Sequence, residues 1–384
     1  MRKRCIITKP LSAGNTDEEW KDCLLQLNRI RSGGLRPLKF NIFIEGDGSI
    51  SPFRDIKKKI ADSLTSTFTD CTPTFSISAH PPESPGKVAV EALFAEPTGE
   101  IIETCFSGSL PYVKATSGSK KELWCCGIGS DSPVTDTTEA SHYAFETLNN
   151  ILRNEGMSMN NIVRQWNYIG NILGRNNGHQ NYQLFNEVRH HYYQKHRTTP
   201  WYPSATGIGM LSPGTLIDFY ALQSDDNNII IPLNNPNQVK AYEYGQEVLV
   251  GQPVCTGLKN SPKFERAVLL LHGDEPTLFI SGTASIIGQV TLGKGDVEQQ
   301  TRITIENIKK LADPLVVTDM DERKRPCNIL YRNIRVYVKN IKDFGPVRDI
   351  CTSHFGEVPA VYLLSDICRD DLLMEIEAEL SVIF

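Results

Sequence analysis

The chain repeats itself at a domain-sized period. Arg164 to Ile172, followed by Phe185-Asn186 and then Pro203 to Gly209 leading into Leu216 to Phe219, is echoed by Arg332 to Ile341. That second stretch is followed by Phe344 and by Val358 to Leu363 leading into Met374 to Ile376. Both copies read strand, loop, short helix, strand, strand. A shorter echo near the N-terminus, Thr74 to His80 and Val88 to Ala92, repeats only the closing strand pair. Related units in one chain pack about a pseudo-symmetry axis, and such packing leaves clefts between units. Function is therefore expected in those clefts. The closing strand pairs, marked by Glu91, Asp218 and Glu375, should be related by rotation.

A chain of 384 residues, 40% hydrophobic and 22% charged, has the ordinary composition of a folded protein with two or three units and a sizeable core. Its formal charge of -5 argues against wholesale nucleic-acid binding, which needs a concentrated basic face. No apolar run reaches the length of a membrane span and no basic stretch leads into a signal-type segment, so a cytoplasmic protein is expected. The ten cysteines show no CxxC pair and no Cys/His spacing that would close a zinc site, so no metal is expected. Cys125 and Cys126 are adjacent on one predicted strand and point to opposite faces, which suits two small core residues. His190, His191 and His196 are not spaced to put metal ligands on one helix face, and an exposed patch is expected.

Periodicity places a helix over Asp17 to Arg31, capped by Asn15 or Thr16, then a strand over Leu38 to Ile44. A further helix starts at Ser51-Pro52 and repeats Phe53, Ile56, Ile60 and Leu64 at helical spacing. Strands follow over Leu123 to Ile128 and Ile162 to Ile172, with helices through Ala140 to Leu152, over Tyr182 to Gln194 and over Val297 to Leu311. The segment from 225 to 262, rich in Asn, Pro and Gly, reads as a connection with some strand. Four parts result: 1–110, an incomplete N-terminal unit; 111–225, a middle unit; 226–262, a connection; 263–384, a last unit. Helices alternating with strands make the class α+β or α/β, with helices laid on mixed sheets.

The last unit contains Phe279 to Gly288 (FISGTASIIG), Gly295 to Thr301 (GDVEQQT), Asn307 and the closing Glu375 to Ala378 (EIEA). This order resembles the Rid (YjgF-like) superfamily. With Val163 to Ile169, Phe185 to Arg189, Ala205 to Gly209, Asn235 to Tyr242 and Ser261 to Ala267, it resembles the chorismatase family, relatives of Rid proteins that release pyruvate from chorismate. The resemblance runs from about residue 75 to the end. It implies tandem Rid/YjgF-like, chorismate mutase-like α+β units with mixed sheets and outer helices, packed as an intramolecular pseudo-trimer. It implies a small carboxylated substrate, no cofactor, and a monomer or weak homo-oligomer. Asn237 and Gln289 stand where the family usually has an arginine and a histidine, and Val250 to Val254 replaces its usual Tyr-Gly-Pro. Chorismate carries two carboxylates, natural partners for bidentate arginines. The exact substrate stays open.

Glu375, Glu377 and Glu379 alternate with Met374, Ile376, Ala378 and Leu380, which by itself suits a half-buried strand with a solvated acidic face. The resemblance singles out Glu375, since the family uses the first glutamate of this motif as an acid. Breaking an enolpyruvyl ether begins by protonating its methylene carbon. An apolar pocket would keep a glutamate protonated for that step near neutral pH. Cys368 lies seven residues earlier, across a turn. By itself it reads as a small buried residue, whereas the resemblance connects a cysteine near this place with 3-hydroxybenzoate formation. Arg266, Arg189 and Tyr242 are candidates for gripping carboxylates or hydroxyls; Arg266 stands out because a charge at the start of an apolar strand needs a partner. Gly282, Thr283, Ala284 and Ser285 are small residues after a buried strand and suit close approach of a ligand to backbone.

Three readings follow. The first is an enzyme cleaving the enolpyruvyl ether of chorismate or a close analogue to pyruvate plus 3-hydroxybenzoate or a dihydroxycyclohexadiene carboxylate. The second is a catalytically silent Rid-like protein that binds a small carboxylated metabolite. The third, an imine deaminase, is disfavoured because Val361 stands where those relatives keep an arginine.

Overall fold

The computed structural model describes the chain except residues 47–48, 130–133, 177, 226–228, 254–256, 273–275, 314–315, 317–325 and 327. Cys255 and Cys327 thus lie outside the described residues. Three sheets carry the fold. The first holds β1 (Arg2–Thr8), β2 (Arg36–Ile44), β3 (Thr74–Ala79) and β4 (Val88–Glu96) in the order β1-β4-β2-β3. The second begins with β5 (Ile101–Ser107), β6 (Leu110–Ser117), β7 (Lys120–Ile128) and β8 (Ile162–Gly170). A short hairpin follows, β9 (Arg175–Asn176) and β10 (His179–Gln180). Next come β11 (Ser204–Met210) and β12 (Thr215–Gln223), and the second sheet runs β11-β8-β12-β7-β6-β5. The third sheet opens with β13 (Ile230–Leu233), β14 (Ala267–Leu270) and β15 (Thr277–Thr283). After a second short hairpin, β16 (Ile286–Ile287) and β17 (Val290–Thr291), it continues with β18 (Asn328–Val338), β19 (Ala360–Leu364) and β20 (Met374–Ile383). Its order is β13-β14-β15-β20-β18-β19.

Reading each sheet from its parallel pair shows the repeat. The sequences β3-β2-β4-β1, β11-β8-β12-β7 and β19-β18-β20-β15 have the same pairing throughout: one parallel pair, then two antiparallel contacts. A helix crosses over each parallel pair, as parallel strands require. These helices are α2 (Ile50–Thr67), α4 (Asn181–His196) and α6 (Phe344–Phe355), while α1 (Thr16–Ser32), α3 (Thr137–Asn154) and α5 (Val297–Leu311) also pack on the sheets. Local chemistry sets their starts. Asn15 caps α1 in a reciprocal box with Glu18, Asp136 caps α3 and Asp296 caps α5, each accepting from the first-turn amides. Each sheet buries one apolar core under its helices, around Phe40 and Leu64, Phe145 and Phe219, and Ile308 and Ile376.

The first sheet has four strands where the other two have six. Its limit differs from the boundary read at residue 110. Ile101–Ser107 pairs with Leu110–Ser117 in the second sheet, so that sheet begins before 111. The connection 226–262 likewise gives Ile230–Leu233 to the third sheet. Neither edge strand has a partner in the shorter first copy, so the repeat pattern carries no signal for them.

Register identifies the equivalent positions. The closing strands start their main ladders at Val88 opposite Ile44, Thr215 opposite Ile169 and Met374 opposite Val338. Three residues on stand Glu91, Asp218 and Glu377. The counterpart of Glu91 and Asp218 is therefore Glu377, not Glu375, which corrects the sequence reading. These three acids meet at the centre. Arg335 forks onto Glu91 (2.7 and 3.1 Å) and reaches the Tyr168 hydroxyl (2.8 Å) and Glu377 (3.3 Å), while Asn41 donates to Asp218 at 2.6 Å. One side chain thus ties together all three sheets. Burial raises the Asp218 carboxyl, whereas Glu91, also penalised by burial, is held below its ordinary range by Arg335 and Lys39.

Candidate active site

One residue after the start of each closing strand lie Ala89, Leu216 and Glu375. Ala89 and Leu216 belong to the apolar cluster at the centre, with Phe43, Tyr168 and Tyr337. Only the third copy carries an acid there. The first-strand glycine next to it makes the same distinction. A Cβ on Gly127 would lie 2.6 Å from the Phe75 carbonyl, so backbone already fills that cleft; a Cβ on Gly282 would lie 1.9 Å from Glu375 Oε1. Of these two, only the cleft at Gly282 holds a carboxyl side chain against the glycine.

A pocket opens onto Glu375. The middle unit contributes Tyr182 and Asn186 from α4 with Ala205 and Gly207 from β11. The last unit contributes Arg266, Gly282, Ala284, Cys368, Arg369 and Glu375, and the connection closes one side with Tyr244 and Val248 to Val250. The cavity therefore lies between the middle and last units.

Glu375 is 4% exposed. Burial first, and then the neighbouring charge of Glu377, push its carboxyl up to about 8, while Arg164 and Arg266 pull the other way. Glu377, two residues along on the same face, has a different environment. Its carboxylate accepts from Arg164 at 2.9 Å, from the Trp166 indole at 2.8 Å and from the Thr206 hydroxyl, and it pairs with Arg335. The expectation of a solvated acidic face fails for both, because that face turns into the neighbouring sheets of the same chain. Thr206 links the two acids: its oxygen also accepts from the Gly282 amide at 3.1 Å, and Gly282 is the surface against which Glu375 rests.

Cys368 is half-buried beside Glu375, and its thiol is pushed up to about 12 by burial and then by Glu375, so it remains a neutral S–H. Arg266 is buried. Its Nη2 donates to the Val239 carbonyl and to the Tyr244 hydroxyl, both at 2.6 Å, and its Nε has no hydrogen-bond partner. Of the run Gly282 to Ser285, Gly282 and Ala284 line the cavity, whereas the Thr283 hydroxyl turns back to the Ser281 carbonyl and Ser285 to the Leu292 carbonyl. Arg189 lies behind the wall, bonded to Asn186 at 2.5 Å; Asn186 is what faces the cavity. Tyr242 is not among the lining side chains: it packs on Tyr202 at 5.1 Å, with its hydroxyl 3.4 Å from Glu265. Tyr244, two residues on, supplies the aromatic wall instead. Sequence reasoning does not single out Tyr182, Asn186 and Arg369 as site residues: Asn186 sits in the Phe185 to Arg189 motif, in which it points to Arg189 instead, and Tyr182 and Arg369 reach the site through the crossover helix and the turn before β20.

Comparison with known proteins agrees with this architecture. The family model described as chorismatase FkbO/Hyg5-like, N-terminal, matches residues 112–222. A 3-hydroxybenzoate synthase of Streptomyces hygroscopicus is 35% identical over 268 residues, covering 67% of this chain and 73% of that protein. A chorismatase of Streptomyces rapamycinicus is 31% identical over 56% of this chain and 63% of its own length. A chorismatase crystal structure superposes with a TM-score of 0.65 over 98% of both chains at 19% identity, a likeness of fold alone. A RutC family protein of Pyrococcus horikoshii, 31% identical, aligns with 26% of this chain, as a single repeat unit would.

Proposed function

Because this chain belongs to the chorismatase family, we propose that it cleaves the enolpyruvyl ether of chorismate or a close analogue, with Glu375 as the general acid. The observation that carries the reading is a buried carboxyl, pushed up to about 8, on the wall of a pocket that also holds an arginine without a carboxylate partner among the described residues. Glu375 transfers its proton to the methylene carbon, and the ether oxygen's lone pair stabilises the resulting oxocarbenium ion. On the hydrolytic route water adds to the neighbouring carbon, the one that bears the ether oxygen, and loses a proton back to the Glu375 carboxylate. The hemiketal then collapses: the bond between its central carbon and the ether oxygen breaks, the oxygen stays on the ring as a hydroxyl, and pyruvate and a dihydroxycyclohexadiene carboxylate result. On the other route the neighbouring ring hydroxyl adds to that carbon in place of water; loss of the ring proton beside the ether and cleavage of the hydroxyl's own C–O bond to the ring aromatise it, and the hemiketal left behind collapses to pyruvate and 3-hydroxybenzoate with no water consumed overall.

Arg266 holds a substrate carboxylate, Gly282 lets the acid approach, and the neutral Cys368 thiol beside Glu375 biases which nucleophile traps the cation. Asn186 and Tyr244 keep Arg189 and Arg266 in place. No cofactor enters this scheme. A monomer or weak oligomer is supported by the meeting of three related sheets within one chain. No described helix is long and apolar enough to cross a membrane, and the free, buried thiols of Cys23, Cys125, Cys126 and Cys351 support a cytoplasmic setting. Incubation with chorismate, with pyruvate followed by coupled lactate dehydrogenase and the ring product identified by mass, tests the reading. Absence of pyruvate overturns it.

A further inference from the structure

The cavity carries more positive charge than its acid can balance. Arg266 and Arg369 both line it, and among the described residues neither forms an ion pair with a carboxylate. The two guanidiniums lie against one ring, Arg266 at 5.4 Å and Arg369 at 5.2 Å from the centre of Tyr244. Arg369 is fixed on a second side by donating from Nη1 to the Gln289 carbonyl at 2.9 Å. The acid nearest in sequence, Asp371, is committed elsewhere, to Lys294 and the Thr291 hydroxyl, both at 3.0 Å. Glu375 is the acid that faces the cavity, and its environment keeps it neutral. A site with two cations and no anion holds a strong preference for a ligand with two negative charges.

We propose that Arg369 is the second carboxylate anchor of this site, so that Arg266 and Arg369, spaced by Tyr244, select a dicarboxylate over a monocarboxylate. The inference rests on the chorismate-cleaving reading for the chemistry at Glu375, but the charge argument concerns binding alone. Asn237 is uncharged where the family usually has an arginine; its backbone carbonyl accepts from the Gly288 amide at 2.7 Å and its backbone N–H donates to the Asn235 side chain at 2.9 Å. It contributes no charge. Arg369 lies on the turn that leads from Cys368 into β20, so anchor, thiol and acid share one short segment. A carboxylate held by Arg369 therefore fixes the ligand relative to Glu375 within that segment.

The test is calorimetric, on the full chain, with two probes. The saturated lactyl ether of 3-hydroxybenzoate carries both carboxylates but no methylene to protonate, so it binds without turnover. 3-Hydroxybenzoate carries one carboxylate. Arg369→Gln should weaken the ether by about 10- to 100-fold, the equivalent of one charge-assisted hydrogen-bonded pair, and 3-hydroxybenzoate by less than about threefold. Arg369→Lys, which keeps the charge and the stem, should fall between wild type and Arg369→Gln for the ether. Equal losses for both probes, or none for either, would overturn the proposal, since a merely structural wall residue does not distinguish them. If the wild type binds the ether in this Arg369-dependent way yet releases no pyruvate from chorismate, the anchor stands and the catalytic reading falls.

Discussion

Glu375 and Glu377 stand two residues apart on the same face of β20, yet one rests against a bare glycine and the other is held by Arg164, Arg335, Trp166 and Thr206. Burial, and then the charge of Glu377 beside it, raise the Glu375 carboxyl. Glu377 has the cations; Glu375 keeps the proton.

Glu375→Gln preserves shape and hydrogen bonding but has no acidic proton. Turnover on chorismate should fall by about 100- to 10,000-fold, the usual worth of general acid catalysis, with substrate binding little changed. Pyruvate release at the wild-type rate would remove Glu375 from the acid role.

The pH dependence follows from the same carboxyl. The acid works protonated, so kcat/KM should be flat below about 8 and decline by about tenfold per unit above it. Stability should move in the same window. The folded carboxyl titrates at about 8 against an ordinary value of 4.5, so its contribution is fully present below 4.5 and is lost as pH rises toward 8. Glu375→Gln should match wild type in melting temperature at pH 4.5 and exceed it increasingly up to pH 8. A gap that does not widen with pH would contradict the buried, neutral state.

Glu377→Gln should be far from silent. It leaves Arg164 and Arg335 short of a counter-charge at the junction of three sheets, and breaking a buried pair in this way costs about 3 to 5 kcal/mol. It also removes the charge that helps raise Glu375, so the alkaline limb of kcat/KM should shift to lower pH. Denaturant unfolding reads the first effect and the pH profile the second; a purely structural role would move only the first.

The sequence showed the repeat, a helix cap at Asn15 or Thr16 and the span Val297–Leu311, because period and capping chemistry are local. It also pointed to Glu375, Arg266, Gly282 and Cys368, whose motifs lie within strands and turns of one unit. What it could not show was which face of a strand another part of the chain covers. Glu377 looks like Glu375 in an alternating pattern, and only the approach of Arg164 and Arg335, 213 and 42 residues away in sequence, separates their roles. Tyr242 and Tyr244 posed the same difficulty: in the short helical turn Ala241–Glu243 neither strand nor long-helix periodicity decides which ring faces the cavity.

Cys368→Ala should change the ratio of 3-hydroxybenzoate to the dihydroxydiene more than it changes total pyruvate. Both routes share the protonation step and diverge only when the cation is trapped. The thiol, held neutral with its titration near 12, acts through shape and a weak S–H rather than as a thiolate. Product analysis by mass after complete turnover checks this, and an unchanged ratio with slowed pyruvate release would place Cys368 in the protonation step instead.

Gly282→Ala tests the approach of the acid itself. Gly282 has no left-handed backbone requirement, so the added methyl costs nothing in backbone strain; its whole effect comes from space. The methyl would stand 1.9 Å from Glu375 Oε1 and 3.1 Å from the Thr206 methyl. Thr206 is anchored to Glu377 and Arg164, so Glu375 is the group that must move. A displacement of about 1 Å at a reacting group costs on the order of 100-fold in rate. We therefore expect kcat to fall by about that factor. Binding of the saturated ether should change much less, because Arg266 and Arg369 hold its carboxylates away from the glycine. Loss of binding with kcat preserved would mean that Gly282 makes room for the ligand and not for the acid.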